Sequence, residues 1–145
     1  MSENGIGDAG AVAIGNNTAW TKLKTLFLQS NMIGADGAMA IGSNRAWVHL
    51  EELYLWKNII GDKGAEAIGA NCSWSKLRLL SLSQNMVGND GAIALGSNTT
   101  WIHLEELWLK ANNIGDNGAA AIGANCSWSK LRLLSLSQNM VGNDG

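Results

Sequence analysis

A tryptophan returns every 27 residues along most of this 145-residue chain. The members of this series are Trp20, Trp47, Trp74, Trp101 and Trp128. A fixed period of this length is typical of proteins in which one small unit of structure is copied and stacked. Such a unit buries little surface alone, so its stability must come from its neighbours. We therefore interpret each residue by its column, meaning the position it shares with residues 27 places away.

Each unit carries a leucine motif that predicts a short strand. The first copy runs Leu23-x-x-Leu26-x-Leu28-x-x-Asn31, and the motif recurs at 50–58, 77–85, 104–112 and 131–139. Leu26 and Leu28 alternate with other residues, as expected of a strand with one buried face. We expect the asparagine column to form a buried ladder that bonds to backbone groups of adjacent units. Its members are Asn31, Asn58, Asn85, Asn112 and Asn139.

The second half of each unit predicts a short helix. It contains a Gly-Ala-x-Ala-Ile/Leu-Gly segment, and residues such as Ala65 and Ile68 lie at the spacing of one inward helix face. A side-chain oxygen just before the segment can cap its free N–H groups. That column is interrupted by Ala35, and its oxygen-bearing members are Asp8, Asp62, Asn89, Asp116 and Asn143.

Three further columns carry structural predictions. We expect the glycine columns to mark turns with positive φ and close packing between units. We expect the tryptophan column to lie in the core along the helix–strand seam. Beside the helix C-termini, we expect a second asparagine column to adopt left-handed turns. Its members are Asn17, Asn44, Asn71, Asn98 and Asn125.

The leucine motif resembles the leucine-rich repeat, and the match extends over nearly the whole chain. The helical half resembles the ribonuclease-inhibitor-like subclass, which is shared with Ran GTPase-activating proteins and immune-receptor sensor domains. The chain departs from that subclass in its shorter helix and in a tryptophan three residues before the first leucine. The resemblance implies an α/β fold, a right-handed leucine-rich-repeat solenoid shaped as a horseshoe arc. Its parallel sheet would line the concave face, with short helices on the convex face.

We predict that residues 1–145 form a single array of about five units. Residues 67–91 and 121–145 are identical, so two unit types alternate. Solenoids usually carry polar capping units at their ends, and neither end of this sequence resembles one. We expect an array that is uncapped at both ends and is a piece of a longer one; the alternative is that its ends pair with copies of themselves.

Composition narrows the range of partners and locations. A net charge of −2 disfavours nucleic acid and anionic membranes as partners. No apolar run approaches the roughly 20 residues needed to span a bilayer, and no signal peptide is visible. Cys72 and Cys126 lie two units apart, too far for a disulfide, so we expect free thiols. Together these features favour a cytoplasmic location.

Motifs that could suggest chemistry are explained by the repeat. Residues 5–10 spell G-x-G-x-x-G, but the motif does not follow a strand, and its last two glycines belong to repeat columns. His49 and His103 lie two units apart and cannot share one metal ion. We therefore expect no catalytic residue, no cofactor and no metal site.

The strand residues that point away from the core form the candidate binding site. Aromatic side chains on a concave surface are typical of interface hot spots, and the alternation rule predicts that these are exposed. The alternative is that the rings only shield the neighbouring strands. The aromatic residues are Phe27, Tyr54, Trp56 and Trp108, and the charged ones are Glu52, Glu106 and Lys110. A neighbouring column alternates in sign and predicts a charge ladder of modest energy. It reads Lys24, Glu51, Arg78, Glu105, Arg132.

Three function classes follow from these residues and the resemblance. The first is a non-catalytic scaffold that binds a protein partner through the concave sheet face. The second is a GTPase activator resembling the Ran activator; its only residue-level support is Arg45, an arginine that breaks the repeat. The third is a structural or surface array. The uncapped repeats also predict end-to-end self-association.

Overall fold

Helices and strands alternate along the chain in regular order. The computed structural model describes residues 4–142. The helices are α1 (Asp8–Gly15), α2 (Ala35–Ser43), α3 (Gly61–Gly69), α4 (Asn89–Gly96) and α5 (Asp116–Gly123). The strands are β1 (Thr25–Phe27), β2 (Glu52–Tyr54), β3 (Leu79–Ser81), β4 (Glu106–Trp108) and β5 (Leu133–Ser135). This alternation of helices and strands is the one predicted for the solenoid.

The five strands form one parallel sheet in the order β1-β2-β3-β4-β5. Leu26 pairs with Leu53, Leu53 with Leu80, and the same 27-residue register continues to β5. Among the helices of the described residues, each one neighbours only the helices before and after it. Packed helices need roughly 8–10 Å, whereas paired strands need about 4.8 Å. The stack therefore curves with the sheet on its inner, concave side.

The core lies between the sheet and the helices, where the leucine and tryptophan columns meet. Trp47, Trp74, Trp101 and Trp128 are buried, and the last two stack with ring centroids 6.4 Å apart. The core prediction is thus confirmed for four members of the tryptophan column. It is wrong for Trp20, whose side chain is 38% exposed. Trp20 lies in the unit of β1, and the described residues contain no earlier strand that could cover it.

The predicted asparagine ladder is confirmed. Asn58 Nδ2 donates to the carbonyl oxygens of Leu55 (2.9 Å) and of Leu28 in the preceding unit (3.0 Å). Its Oδ1 accepts from the backbone N–H of Ile33 at 3.0 Å. Asn112 repeats this pattern with Leu109, Leu82 and Val87. One amide thus satisfies backbone groups of two units.

The second asparagine column forms another ladder, and the prediction of left-handed turns there is wrong. Asn44 has φ −70°, and none of the positive-φ residues in 4–142 belongs to this column. Asn44 Nδ2 donates to the carbonyl oxygens of Gly15 (2.7 Å) and Asn17 (2.9 Å). Its Oδ1 accepts from the N–H of Ala46 at 2.8 Å, which closes the turn after the helix. These bonds favour an extended conformation over a left-handed one.

The capping column acts on a different helix from the one predicted. Asp62 Oδ1 accepts from the N–H groups of Gly88 (2.6 Å) and Gly91 (3.0 Å), at the start of the helix in the next unit. Asp8 and Asn89 do the same for the helices that follow theirs. In the described residues, no N-cap residue accepts a hydrogen bond from its own helix through its side chain. Asn143 lies outside the described residues.

The interruption of the capping column at Ala35 is visible in the next helix. α3 begins one column earlier than its counterparts, at Gly61, which has φ +62°. An alanine side chain offers no acceptor, so the first N–H groups of α3 have no oxygen from the preceding unit. The residue before α3, Ile60, has a helical conformation, whereas Gly34 and Gly88 are extended before their helices.

The prediction for the glycine columns is half right. Among the glycines of residues 4–142, only Gly5 and Gly61 have positive φ, so the turn interpretation is wrong for the other glycines described. Close packing is confirmed: a Cβ on Gly15, Gly42 or Gly69 would lie 2.5–2.7 Å from backbone atoms of the next helix. The left-handed conformation instead occupies a column without glycine, just before the first asparagine ladder. Its members are Ser30, Lys57, Gln84, Ala111 and Gln138.

Candidate functional site

The candidate residues lie on the concave side of the sheet. Leu53 and Leu55 point into the core, so Glu52, Tyr54 and Trp56 point the other way. Phe27 and Lys110 are exposed, and the other five candidates are half-buried. The prediction of exposed rings is therefore right for Phe27 and only partly right for Tyr54, Trp56 and Trp108.

Two of the predicted aromatic residues contact each other directly. Phe27 and Tyr54 are register partners on β1 and β2, and their rings stack with centroids 4.7 Å apart and planes inclined by 15°. Phe27 is 47% exposed, so one face of this stack remains open to solvent. Stacked aromatic pairs on neighbouring strands stabilise the sheet and present a flat apolar surface.

Two aromatic–carboxylate pairs occupy equivalent positions on β2 and β4. Tyr54 Oη donates to Glu52 Oε2 at 3.3 Å, and Trp108 Nε1 donates to Glu106 Oε2 at 3.0 Å. Burial raises the pKa of Tyr54, and the negative charge of Glu52, its hydrogen bond and the charge of Glu106 raise it further. The negative charges of Glu52 and Glu106 therefore both reach the Tyr54 hydroxyl on the concave face.

The strand between these pairs, β3, contributes Leu79 and Ser81. Leu79 is the register partner of Glu52 and Glu106, and Ser81 is the partner of Tyr54 and Trp108. Ser81 is only 6% exposed because larger side chains stand on both sides of it. Sequence reasoning missed these two residues as part of the site. The sequence signal for them is the Glu-Leu-aromatic motif, which recurs after 54 residues, in every second unit. The strand between two such motifs carries a serine in place of the aromatic residue.

Trp56 and Lys110 follow the ends of β2 and β4. Trp56 is two residues past Tyr54, and Lys110 is two residues past Trp108, in the column that also contains Ser83. The backbone oxygens of Trp56 and Lys110 accept from Ser30 N–H and Gln84 N–H, each at 2.9 Å. The site is thus brought together as one surface, with carboxylates at the start of the strands and Lys110 at the end.

The alternating charge column forms ion pairs beside the site. Lys24 Nζ lies 2.9 Å from Glu51 Oε1. Arg78 Nε and Arg132 Nη2 lie 2.9 Å and 2.6 Å from the two oxygens of Glu105. The hydrogen bond from Lys24 lowers the pKa of Glu51, and that from Arg78 lowers the pKa of Glu105. The predicted charge ladder is therefore present in these pairs, and solvent-exposed pairs of this kind contribute little energy.

The remaining candidate residues lie apart from this surface. Cys72 and Cys126 are free, as predicted, and both are exposed. Arg45 Nη1 lies 3.6 Å from Cys72 Sγ. The Nδ1 atoms of His49 and His103 each lie 3.1 Å from a backbone oxygen of the preceding unit. In residues 4–142, no group of three or more His, Cys, Asp or Glu side chains could hold a metal ion. No helix in that range is long and apolar enough to cross a membrane.

The family profile of the leucine-rich repeat matches this sequence in five segments. The matched segments are residues 1–15, 21–42, 48–69, 75–96 and 102–123, which together make up more than half of the chain. The chain belongs to the leucine-rich-repeat family. In this leucine-rich-repeat protein the register continues beyond the last matched segment, because β5 pairs with β4 in the same way as the earlier strands.

Comparison with individual proteins is less informative. No curated protein sequence matches this chain. Among solved structures, an internalin from Listeria monocytogenes is similar over 92% of this chain, with 20% sequence identity and a TM-score of 0.46. The leucine-rich-repeat chain spans 46% of the internalin chain, which is less than half of its length.

Proposed function

We propose that this protein is a non-catalytic scaffold that binds a protein partner through the concave face of its sheet. The leucine-rich-repeat fold generally mediates protein–protein interaction. The observation that carries the proposal is the row of aromatic side chains on that face, where Phe27, Tyr54, Trp56 and Trp108 retain exposed surface. Aromatic anchors of this kind account for much of the energy of protein interfaces.

The columns of the repeat support this assignment. Leu53, Asn58 and Asp62 have structural roles that repeat in other units. By contrast, the column of Tyr54 contains aromatic residues in three units and serine in two, so the repeat does not dictate its side chain. A position that the fold leaves free is available for recognition of a partner.

The test is a variant in which Tyr54, Trp56 and Trp108 are all replaced by Ser. Partners are captured with the parent protein and identified, and their affinity for parent and variant is then measured by calorimetry. Removing the anchors of a hot spot costs at least about 2 kcal/mol. We therefore expect binding to weaken by a factor of about 30 or more, with the circular dichroism spectrum unchanged.

A matched control removes exposed apolar side chains from the convex side. Met39 on α2 and Ile93 on α4 are exposed, and Met39→Ser/Ile93→Ser should bind the partner as the parent does. The proposal would be overturned if the triple variant of Tyr54, Trp56 and Trp108 (the concave variant) kept the affinity of the parent. An equal loss of affinity in the Met39→Ser/Ile93→Ser variant would also overturn it. A folded concave variant that retains every partner would favour the structural-array alternative instead.

The finer assignments from the sequence remain part of this proposal. We propose membership of the ribonuclease-inhibitor-like subclass from the Gly-Ala-x-Ala-Ile/Leu-Gly segment, and a cytoplasmic location from the unpaired Cys72 and Cys126. The GTPase-activator alternative is decided by GTP hydrolysis with a panel of small GTPases. Arg45, its one candidate residue, is exposed and contacts Cys72 Sγ.

A further inference from the structure

The centre of the concave face combines two carboxylates with two aromatic rings around a small floor. We name this the central subsite and define it by Glu52, Tyr54, Leu79, Ser81, Glu106 and Trp108. Adjacent strands lie about 4.8 Å apart, so its two aromatic–carboxylate pairs stand about 10 Å apart across β3. The low floor at Ser81 lies between the taller rings of Tyr54 and Trp108.

The carboxylates of the central subsite differ from those beside them, because within residues 4–142 they form no ion pair with a cationic side chain. Glu51 and Glu105 pair with Lys24, Arg78 and Arg132. Across residues 4–142, no ion pair within 4.0 Å reaches Glu52 or Glu106. The charge of Glu52 contributes to raising the pKa of Arg78, but the guanidinium of Arg78 donates its hydrogen bond to Glu105. The central subsite therefore carries two carboxylates that form no ion pair with the described residues.

The hydrogen bonds to the rings fix these charges in position and leave part of each free. Glu52 and Glu106 each accept from a ring through Oε2. Within the described part of the chain, Oε1 of neither residue has a hydrogen-bond partner. Each ring is thereby held beside a carboxylate, so the subsite is arranged before any ligand arrives.

We propose that the central subsite receives an arginine side chain of a protein partner. The inference rests on the proposed use of the concave face for protein binding. A cation over an aromatic ring is attracted by the ring's electrons, and a neighbouring carboxylate adds a charge-assisted hydrogen bond. The guanidinium group is planar, stacks on rings and presents a fork of N–H donors to carboxylates. Arginine thus matches both components of the subsite.

The test uses a blocked tripeptide, acetyl-Gly-Arg-Gly-amide, titrated into ¹⁵N-labelled protein and followed by NMR. The same peptide with citrulline in place of arginine keeps the shape and removes the charge. We expect the arginine peptide to shift the indole N–H signal of Trp108 and the amide signals of Leu79 and Ser81 in a saturable way. The citrulline peptide should bind about tenfold more weakly.

A pair of charge-matched variants locates the effect. Glu52→Gln/Glu106→Gln removes both charges, and the amide oxygen of glutamine still accepts from the rings. Glu51→Gln/Glu105→Gln removes the same number of charges from the adjacent ion pairs. We expect about a tenfold loss of arginine-peptide binding in the first variant and less than a twofold change in the second. Equal binding of the arginine and citrulline peptides, or equal losses in the two variants, would overturn the inference.

The outcome is separable from that of the proposed function. If the aromatic variant loses its partner and the arginine peptide causes no shifts, the scaffold proposal stands and the arginine subsite is wrong. If the arginine peptide binds as expected and the aromatic variant retains every partner, the scaffold proposal is wrong and the cation site remains.

Discussion

At the scale of single residues, Asp62 joins two units through one oxygen atom. Its Oδ1 accepts from Gly88 N–H and Gly91 N–H, which are among the free donors at the start of α4. A carboxylate in this position satisfies those donors and also interacts favourably with the positive end of the helix. The side chain therefore stabilises the helix of its neighbour and the contact between the two units.

We expect Asp62→Ala to lower the free energy of unfolding by about 0.5–2 kcal/mol, because two N–H groups lose their acceptor. Urea denaturation followed by circular dichroism measures the change. The control is Asp90→Ala: Asp90 is an exposed acidic residue in the first turn of α4, so its loss tests the helix-dipole effect alone. An effect of Asp62→Ala no larger than that of Asp90→Ala would contradict the capping role.

The chemistry of this residue could be predicted from the sequence, and its partner could not. An oxygen-bearing side chain just before a helical segment indicates a cap, and the interruption at Ala35 is visible in the sequence. However, the sequence gives the spacing within a unit and not the lateral offset between units. Asp62 lies in the first turn of α3, and that offset brings its carboxylate to the N–H groups at the start of α4. The prediction of left-handed turns in the second asparagine column is wrong for the same reason, since Asn44 donates to the carbonyl oxygens of Gly15 and Asn17 in the preceding unit.

At the scale of elements, the closeness of adjacent helices depends on a glycine at the end of each one. A Cβ on Gly69 would lie 2.7 Å from the backbone oxygen of Ala94 in α4. Backbone atoms cannot move aside as a flexible side chain can, so any larger residue would push α3 and α4 apart. Gly123 holds the same column in α5, and a Cβ there would meet nothing within 4 Å.

We expect Gly69→Ala to destabilise the protein by about 1–3 kcal/mol through overpacking at this helix contact. Gly123→Ala is the matched control, and it should be neutral or stabilise by up to about 1 kcal/mol because alanine favours helix. Thermal unfolding measured by calorimetry compares the two. Equal effects of the two substitutions would show that the glycine column acts through backbone conformation and not through packing.

The elements themselves were well predicted, because their signals lie within one unit. The L-x-L spacing predicted each strand and its register, and the Gly-Ala segment predicted each helix. All seven candidate residues are exposed or half-buried, as alternation with the buried leucines predicts. Their depth was not predicted, because burial depends on neighbours: Ser81 is covered by the rings of Tyr54 and Trp108, which come from other units.

At the scale of the whole molecule, the two ends of the stack expose residues of core columns. Trp20 is 38% exposed, and with Leu23 and the buried Leu26 it lines a hollow of about 610 Å³ beside β1. At the other end, Leu134 is 41% exposed, although its column is buried in the four other strands. Each face has the shape that a neighbouring unit covers elsewhere in the stack, so the two faces are complementary in kind.

We propose that the 145-residue chain associates end to end through these faces. Sedimentation velocity should show an average mass that increases with concentration. Trp20→Ser should shift this dependence to higher concentration by at least about tenfold, because it removes a large apolar contact. Trp56→Ser, which alters the concave face, should have no such effect. A mass that stays at one chain at every concentration, or equal effects of the two variants, would contradict the proposal.

The two asparagine ladders have a consequence for how such a protein can change in length. Their bonds from one unit to the next span 25–30 residues and connect backbone groups at the same level of neighbouring units. Duplication of a whole unit reproduces every one of these bonds, and duplication of a pair also reproduces the aromatic–carboxylate pattern. An insertion of any other size within a unit shifts the amides away from their acceptors. Growth by whole units is therefore tolerated, because it adds strands to the concave face and preserves the hydrogen bonds between the existing units.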